Sequence, residues 1–181
     1  MIAVLRETLW KHFGGSIDML KNAIQLFPKE DWYTDEKFFY MAYHCVIFLD
    51  YYLTIPPNHF SSPLPYTLTE QSNIPKDAID DVVPDRIYSK KELLDYLQLS
   101  REKCRRFIGE LTAEKLIEPW IYDSPDMNTE LSGRDTLTYS VLDILFYNMR
   151  HVQHHAAQLN LLLRQKINAA PQWVSQAEDV L

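Results

Sequence analysis

The segment from Asp35 to about Thr54, DEKFFYMAYHCVIFLDYYLT, carries Phe, Tyr, Met, Val, Ile and Leu on nearly every side. A helix that is apolar all round must be covered all round, either by its own bundle or by a second subunit. Its length and its acidic Asp35-Glu36 opening, favourable at the positive end of a helix, argue for helix over strand despite the aromatic content. The rest of the chain has to supply that cover.

Three further helices are legible. From Ile2 to about Leu26 the residues Leu5, Leu9, Phe13, Ile17, Leu20 and Ile24 recur at steps of three and four, an amphipathic stripe that Phe27-Pro28 ends. Gly14-Gly15 interrupts it at a cost of about 2 kcal/mol relative to alanine, which predicts a close helix contact or a local bend there. Ser89 reads as an N-cap, with Glu92 completing a capping box, for a third helix running to about Leu111. Thr112 with Lys115 marks one further short turn, and Glu118 to Gly133 reads as irregular. Arg134 or Asp135 opens a fourth helix that runs to about Ile167, followed by a tail over 167–181. Between the second and third helices, Ile55 to Tyr88 holds six prolines and no sustained period. A connection of that length inside a compact domain is usually functional or crosses over the fold. With no convincing strand alternation, the pattern predicts an all-α chain. Residues 1–181 are expected to form a single domain, a four-helix bundle with a long crossover connection between its second and third helices.

Composition removes several functions. The net charge of −7 lacks the basic excess with which a protein displaces counterions from phosphate, so nucleic acid is not expected as a partner. No apolar run approaches eighteen residues and the first residues lack a signal-peptide pattern, so no membrane segment is expected. Cys45 and Cys104 have no CxxC spacing, which argues against a disulfide framework or a cysteine zinc site. A cytoplasmic protein in a reducing compartment is the expectation.

One chemical signal stands out: three of the six histidines fall within five residues of the fourth helix, in RHVQHHAAQL. Against the apolar stripe of Leu137, Val141, Ile144, Leu159 and Leu162, which centres about 50° from His151 on an ideal helix, His155 lies near the middle at about 40°. His151 falls at its edge, and His154, at about 300°, is well off it. Two imidazoles one turn apart on a core-facing stripe are costly unless their nitrogens find partners, at about 1 to 3 kcal/mol for each that does not. A divalent cation held by both resolves that cost. The pair needs a third ligand, and on the apolar second helix His44 is the only histidine, with Cys45 and Asp50 the other candidates there. Cys45 points about 100° away from His44 and reads as a small core residue. Taken alone, His44 would read as a hydrogen-bonded core residue. His154 reads as solvated, His12 and His59 carry no signal, and Asp143 and Arg150 read as exposed or intersubunit charges. The zincin pattern is absent, since Val152 stands where HExxH carries its glutamate. A three-histidine set with no carboxylate ligand leaves an ion one open position and its full double charge, which suits an incoming anion such as hydroxide or thiolate.

The fourth-helix motif resembles that of the DinB-like superfamily, which includes YfiT-type proteins assigned as metalloenzymes. Its members read approximately HxxHHxxQL there, matched by His151, His154, His155, Gln158 and Leu159. The usual glycine is replaced by Ala157. The resemblance extends to the helix order, the long connection and a tail tryptophan, here Trp173. It implies a divalent metal ion, zinc or nickel, on His44, His151 and His155, and a homodimer that would cover the second helix. Relatives include thiol S-transferases that use low-molecular-weight thiols such as bacillithiol or mycothiol. The leading expectation is therefore a metal-dependent thiol S-transferase acting on a small-molecule thiol, with Trp173 and the proline-rich connection shaping the cavity mouth. The alternatives are a metal-dependent hydrolase, with Asp50 or His154 near the open position, and a non-catalytic dimeric bundle with a structural or absent metal.

Overall fold

The computed structural model describes residues 1–120 and 139–181, and the chain is mostly helical. Four long helices carry the core: α1 (Ile2–Leu26), α2 (Glu36–Tyr52), α3 (Lys90–Gly109) and α5 (Val141–Ile167), with a short α4 (Ala113–Ile117) between the last two. α1 packs on α3 and α5, and α2 packs on the same two helices from the other side. None of these helices is long and apolar enough to cross a membrane.

Local chemistry sets most of the boundaries. Asp35 caps α2 by accepting a hydrogen bond from Phe38 N–H at 3.1 Å. Ser89 and Glu92 form the reciprocal capping box of α3, and Thr112 caps α4 through Lys115 N–H. α5 starts later than the sequence suggests. Ser140 is its N-cap and Asp143 closes a second capping box, so Asp143 spends its carboxylate on the helix start. The proposed openings Arg134 and Asp135, like Leu137 and most of the segment from Glu118 to Gly133, lie outside the described residues.

Short strands are present where none was expected. β1 (Tyr66–Leu68) pairs antiparallel with β2 (Val82–Pro84), Thr67 opposite Val83, inside the long connection. β3 (Pro119–Trp120) pairs with β4 (Tyr139–Ser140) at the foot of α5. Each run is two or three residues, too short to show a period of two in the sequence.

α2 is covered within one chain, since all but three of its residues are buried. A second subunit is not needed to hide it. α1 runs through Gly14-Gly15 without interruption, and the close approach there comes from the C-terminal tail, not from a helix. A Cβ on Gly14 would stand 2.8 Å from Ala177 Cβ, and one on Gly15 would stand 3.0 Å from Gln176 Cα. The tail is fastened by Ala177 N–H to Lys11 O, by Trp10 Nε1–H to Asp179 O, and by Arg101, which pairs with both Asp18 and Asp179.

Candidate metal centre

α2 and α5 bring the three histidines together. Near the C-terminal end of α2 the Leu53 N–H bonds to Asp50 O, and the Leu49 carbonyl is taken by Asn148 Nδ2–H of α5 at 3.0 Å. That bond fixes the two helices against each other one turn from the site. His44 Nε2 then lies 3.0 Å from His151 Nε2, and His155 Nε2 lies 3.1 Å from the same atom. One ligating nitrogen from each residue falls within 4.8 Å of the others. His44 and His155 are buried, and His151 is half-buried at the edge of the apolar stripe, as its helical angle predicts. The stripe itself is made by Val141, Ile144, Leu159 and Leu163, with Leu162 only half-buried.

Two outer partners orient the rings. His44 Nδ1–H donates to Asp80 Oδ2 at 2.9 Å, and His155 Nδ1–H donates to Gln158 Oε1 at 2.8 Å. Each bond places its ring's proton on Nδ1 and turns a bare Nε2 lone pair inward, the arrangement by which outer partners prepare histidines for a metal. Asp80 is itself held, because its Oδ1 accepts from Val82 N–H at 3.0 Å where the connection enters β2.

With both Nδ1 protons committed outward, the lone pairs at the centre outnumber the protons. Two lone pairs face His151 Nε2, which has at most one proton to offer, and His151 Nδ1 is buried with no partner among the described residues. If His151 carries its proton on Nδ1, three lone pairs converge on one another. A positive ion at their meeting point satisfies all three. A tetrahedral ion with nitrogens at about 2.0 to 2.1 Å keeps them about 3.3 to 3.4 Å apart. The separations of 3.0 and 3.1 Å lie a few tenths of an ångström inside that spacing. The residues therefore fit a divalent metal ion.

Electrostatics agrees. Burial, reinforced by the neighbouring imidazoles of His44 and His155, pushes His151 down to about 2. Burial and His44 lower His155 to about 4, against a small opposing effect of Gln158. Both rings are neutral at physiological pH, the state that ligation requires. Phe48, Tyr52 and Tyr147 stand around His151, and the Tyr147 ring lies within 10° of parallel to it.

The other candidates fall elsewhere. Asp50 is buried away from the histidines, accepting from Tyr96 Oη–H and paired with Lys103. Cys45 is fully buried, its thiol pushed up by desolvation, and is not in the cluster. His154 is exposed and lies in the wall of a cleft of about 550 Å3 that also touches His151. Trp173 belongs to a different, smaller cleft of about 290 Å3 between α1, α5 and the tail, which shares Arg150 and Gln153 with the first. From the proline-rich connection comes Asp80, which sequence reasoning missed. The one available signal was the length of that connection. Gln158 was visible in the motif, three residues from His155, without its role.

No protein-family model, curated protein or solved structure matches the chain.

Proposed function

We propose that this chain is a DinB-like four-helix bundle, its 55–88 connection crossing over between the second and third helices. Its activity is that of a thiol S-transferase dependent on a divalent metal, zinc or nickel, held by His44, His151 and His155. The observation that carries this reading is the convergence of three imidazole nitrogens, with Asp80 and Gln158 each accepting from the outer nitrogen of one ring. When bound there, a divalent ion supplies the positive charge that favours a thiolate over its thiol at neutral pH. The chain's own part is to hold the ion with uncharged ligands, so that its double charge is undiminished. Phe48 and Tyr52 pack edge-on against His151, and the adjoining cleft has room for a small substrate. The sulfur then forms its bond to an electrophilic carbon, whose leaving group departs with the electron pair, while the thiol proton passes to solvent. Hydrolysis asks instead for a base beside attacking water. Asp50 is committed to Tyr96 and Lys103 and no carboxylate lines the cleft among the described residues, so a hydrolytic reading would rest on His154 in the cleft wall.

The test is metal analysis of the purified chain and of His155→Ala, followed by turnover of a panel of low-molecular-weight thiols with a generic electrophile. One equivalent of metal in the parent chain, its loss in the variant, and metal-dependent consumption of at least one thiol are expected. Bound metal with no thiol consumed would remove the transferase reading. Collapse of the fold on chelation would make the ion structural.

A further inference from the structure

The cleft beside the histidines has a charge pattern that selects its occupant. Among the described residues it is lined by Tyr147, Arg150, His151, Gln153, His154 and Ala157, all from successive turns of α5. A volume of about 550 Å3 lies within the range of small-molecule sites. Gln153 is already engaged, since its Oε1 accepts from Ser16 Oγ–H at 3.1 Å. Arg150 and His154 stand one turn apart and both are exposed. Neither forms an ion pair with a described residue. With no carboxylate among the lining residues, the cleft's permanent charge is positive in a chain whose net charge is −7. His151 joins the two places, its ring in the cleft wall and its Nε2 among the three converging nitrogens.

We propose that Arg150 is the anion anchor of the substrate site, and that the thiol taken there carries a carboxylate. Resting on the thiol reading of the histidine centre, the assignment names the class of thiol. A guanidinium offers two parallel N–H donors that match the two oxygens of a carboxylate, and it keeps its charge at every physiological pH. Arg150 and His151, consecutive on α5 and about 100° apart, both line this one cleft, so a short molecule whose anion is held by Arg150 has its thiol end within the same cleft as His151. The Tyr147 ring, nearly parallel to that of His151, gives the connecting carbons a flat wall.

The experiment uses the full chain loaded with cobalt(II), whose thiolate charge-transfer absorption reports sulfur binding without turnover. Mercaptopropionate, mercaptoethanol and cysteamine are titrated into the parent chain, Arg150→Gln and Arg150→Lys. Mercaptopropionate is expected to bind the parent chain more tightly than the other two. Its preference over mercaptoethanol should fall by about tenfold in Arg150→Gln, the size of one charge-assisted hydrogen bond, and only in part in Arg150→Lys. Mercaptoethanol affinity and cobalt content should not change. Because Arg150 is exposed, its replacement leaves the fold intact. Cobalt and thiols bound with the same preference in all three proteins would overturn the anchor alone. Cobalt bound with no thiolate band in the parent chain would overturn the thiol reading and the anchor with it.

Discussion

Asp80 and Gln158 decide how the three histidines behave. Without Asp80, the His44 ring is free to carry its proton on Nε2, where it would block an ion. Replacing Asp80 with alanine is therefore expected to weaken metal binding by about 10- to 100-fold, the usual effect of losing a histidine's outer partner. Asp80→Asn, whose amide oxygen still accepts from Nδ1–H, should cost less. Competition against a chromophoric chelator measures both, and equal affinities in all three proteins would refute the role. The buried rings also set a pH dependence for the metal-free chain. His151 and His155 titrate at about 2 and about 4 when folded, below the ordinary 6.5. The unfolded chain takes up protons near 6.5 that the folded chain refuses, so these groups leave stability unchanged above that pH and subtract from it as pH falls towards 4. Urea unfolding midpoints measured from pH 7.5 to 4.5 should decline over that window, and replacing both histidines with glutamine should flatten the slope. The histidines themselves were legible because a helix turns by a fixed angle per residue, which put His151 and His155 on one side and left His44 the sole imidazole of α2. Asp80 was not, because a connection without a period gives no direction to its side chains.

The glycines of α1 show an element shaped by something outside it. Alanine at Gly14 would gain about 1 kcal/mol of intrinsic helix stability. It would also put a Cβ 2.8 Å from that of Ala177 and within 3.2 Å of the Trp10 ring. Overpacking of this kind costs about 1 to 3 kcal/mol, so Gly14→Ala is expected to be net destabilising by about 1 kcal/mol. Ala177→Gly should rescue it, because the Ala177 methyl is the nearest obstacle. A double-mutant cycle on thermal melts reads the coupling, and strictly additive effects would show that the tail does not press on the helix. The glycines predict a close helix contact or a local bend, whereas the approach is made by the tail, whose lack of a period gives no sign of where it docks. Helix starts divide in the same way. The Ser89-Glu92 box reads from four residues, whereas the equivalent Ser140-Asp143 start of α5 is masked in the sequence by a helical pattern that continues further back.

Across the whole molecule, the ion pairs of Arg101 and the contacts of the three histidines form two separate networks. Arg101 of α3 ties Asp18 of α1 to Asp179 of the tail and lies over the Trp10 ring, so one side chain joins three segments. The metal candidate site instead depends on α2, α5 and the connection that brings Asp80. Among the described residues, no member of one network is a partner in the other, and effects of substitutions in such separate groups add. Arg101→Met leaves two carboxylates facing a place that had been positive. Removing one member of a buried pair costs about 3 to 5 kcal/mol, and the partial exposure of both aspartates puts this case near 3. For a chain of this size that corresponds to a fall in melting temperature of about 6 to 12 °C. Metal affinity at 25 °C should stay within about twofold of the parent, because α2 and α5 keep their own lock through Asn148 and Leu49. Asn148→Ala should produce the opposite pattern for its size. It releases the Leu49 carbonyl and lets α2 shift against α5, so metal affinity should fall more than its loss of stability alone would explain. Thermal melts and metal competition on the two variants decide it. If Arg101→Met weakened metal binding as much as Asn148→Ala, the histidines would be held by overall stability and not by the contact between these two helices.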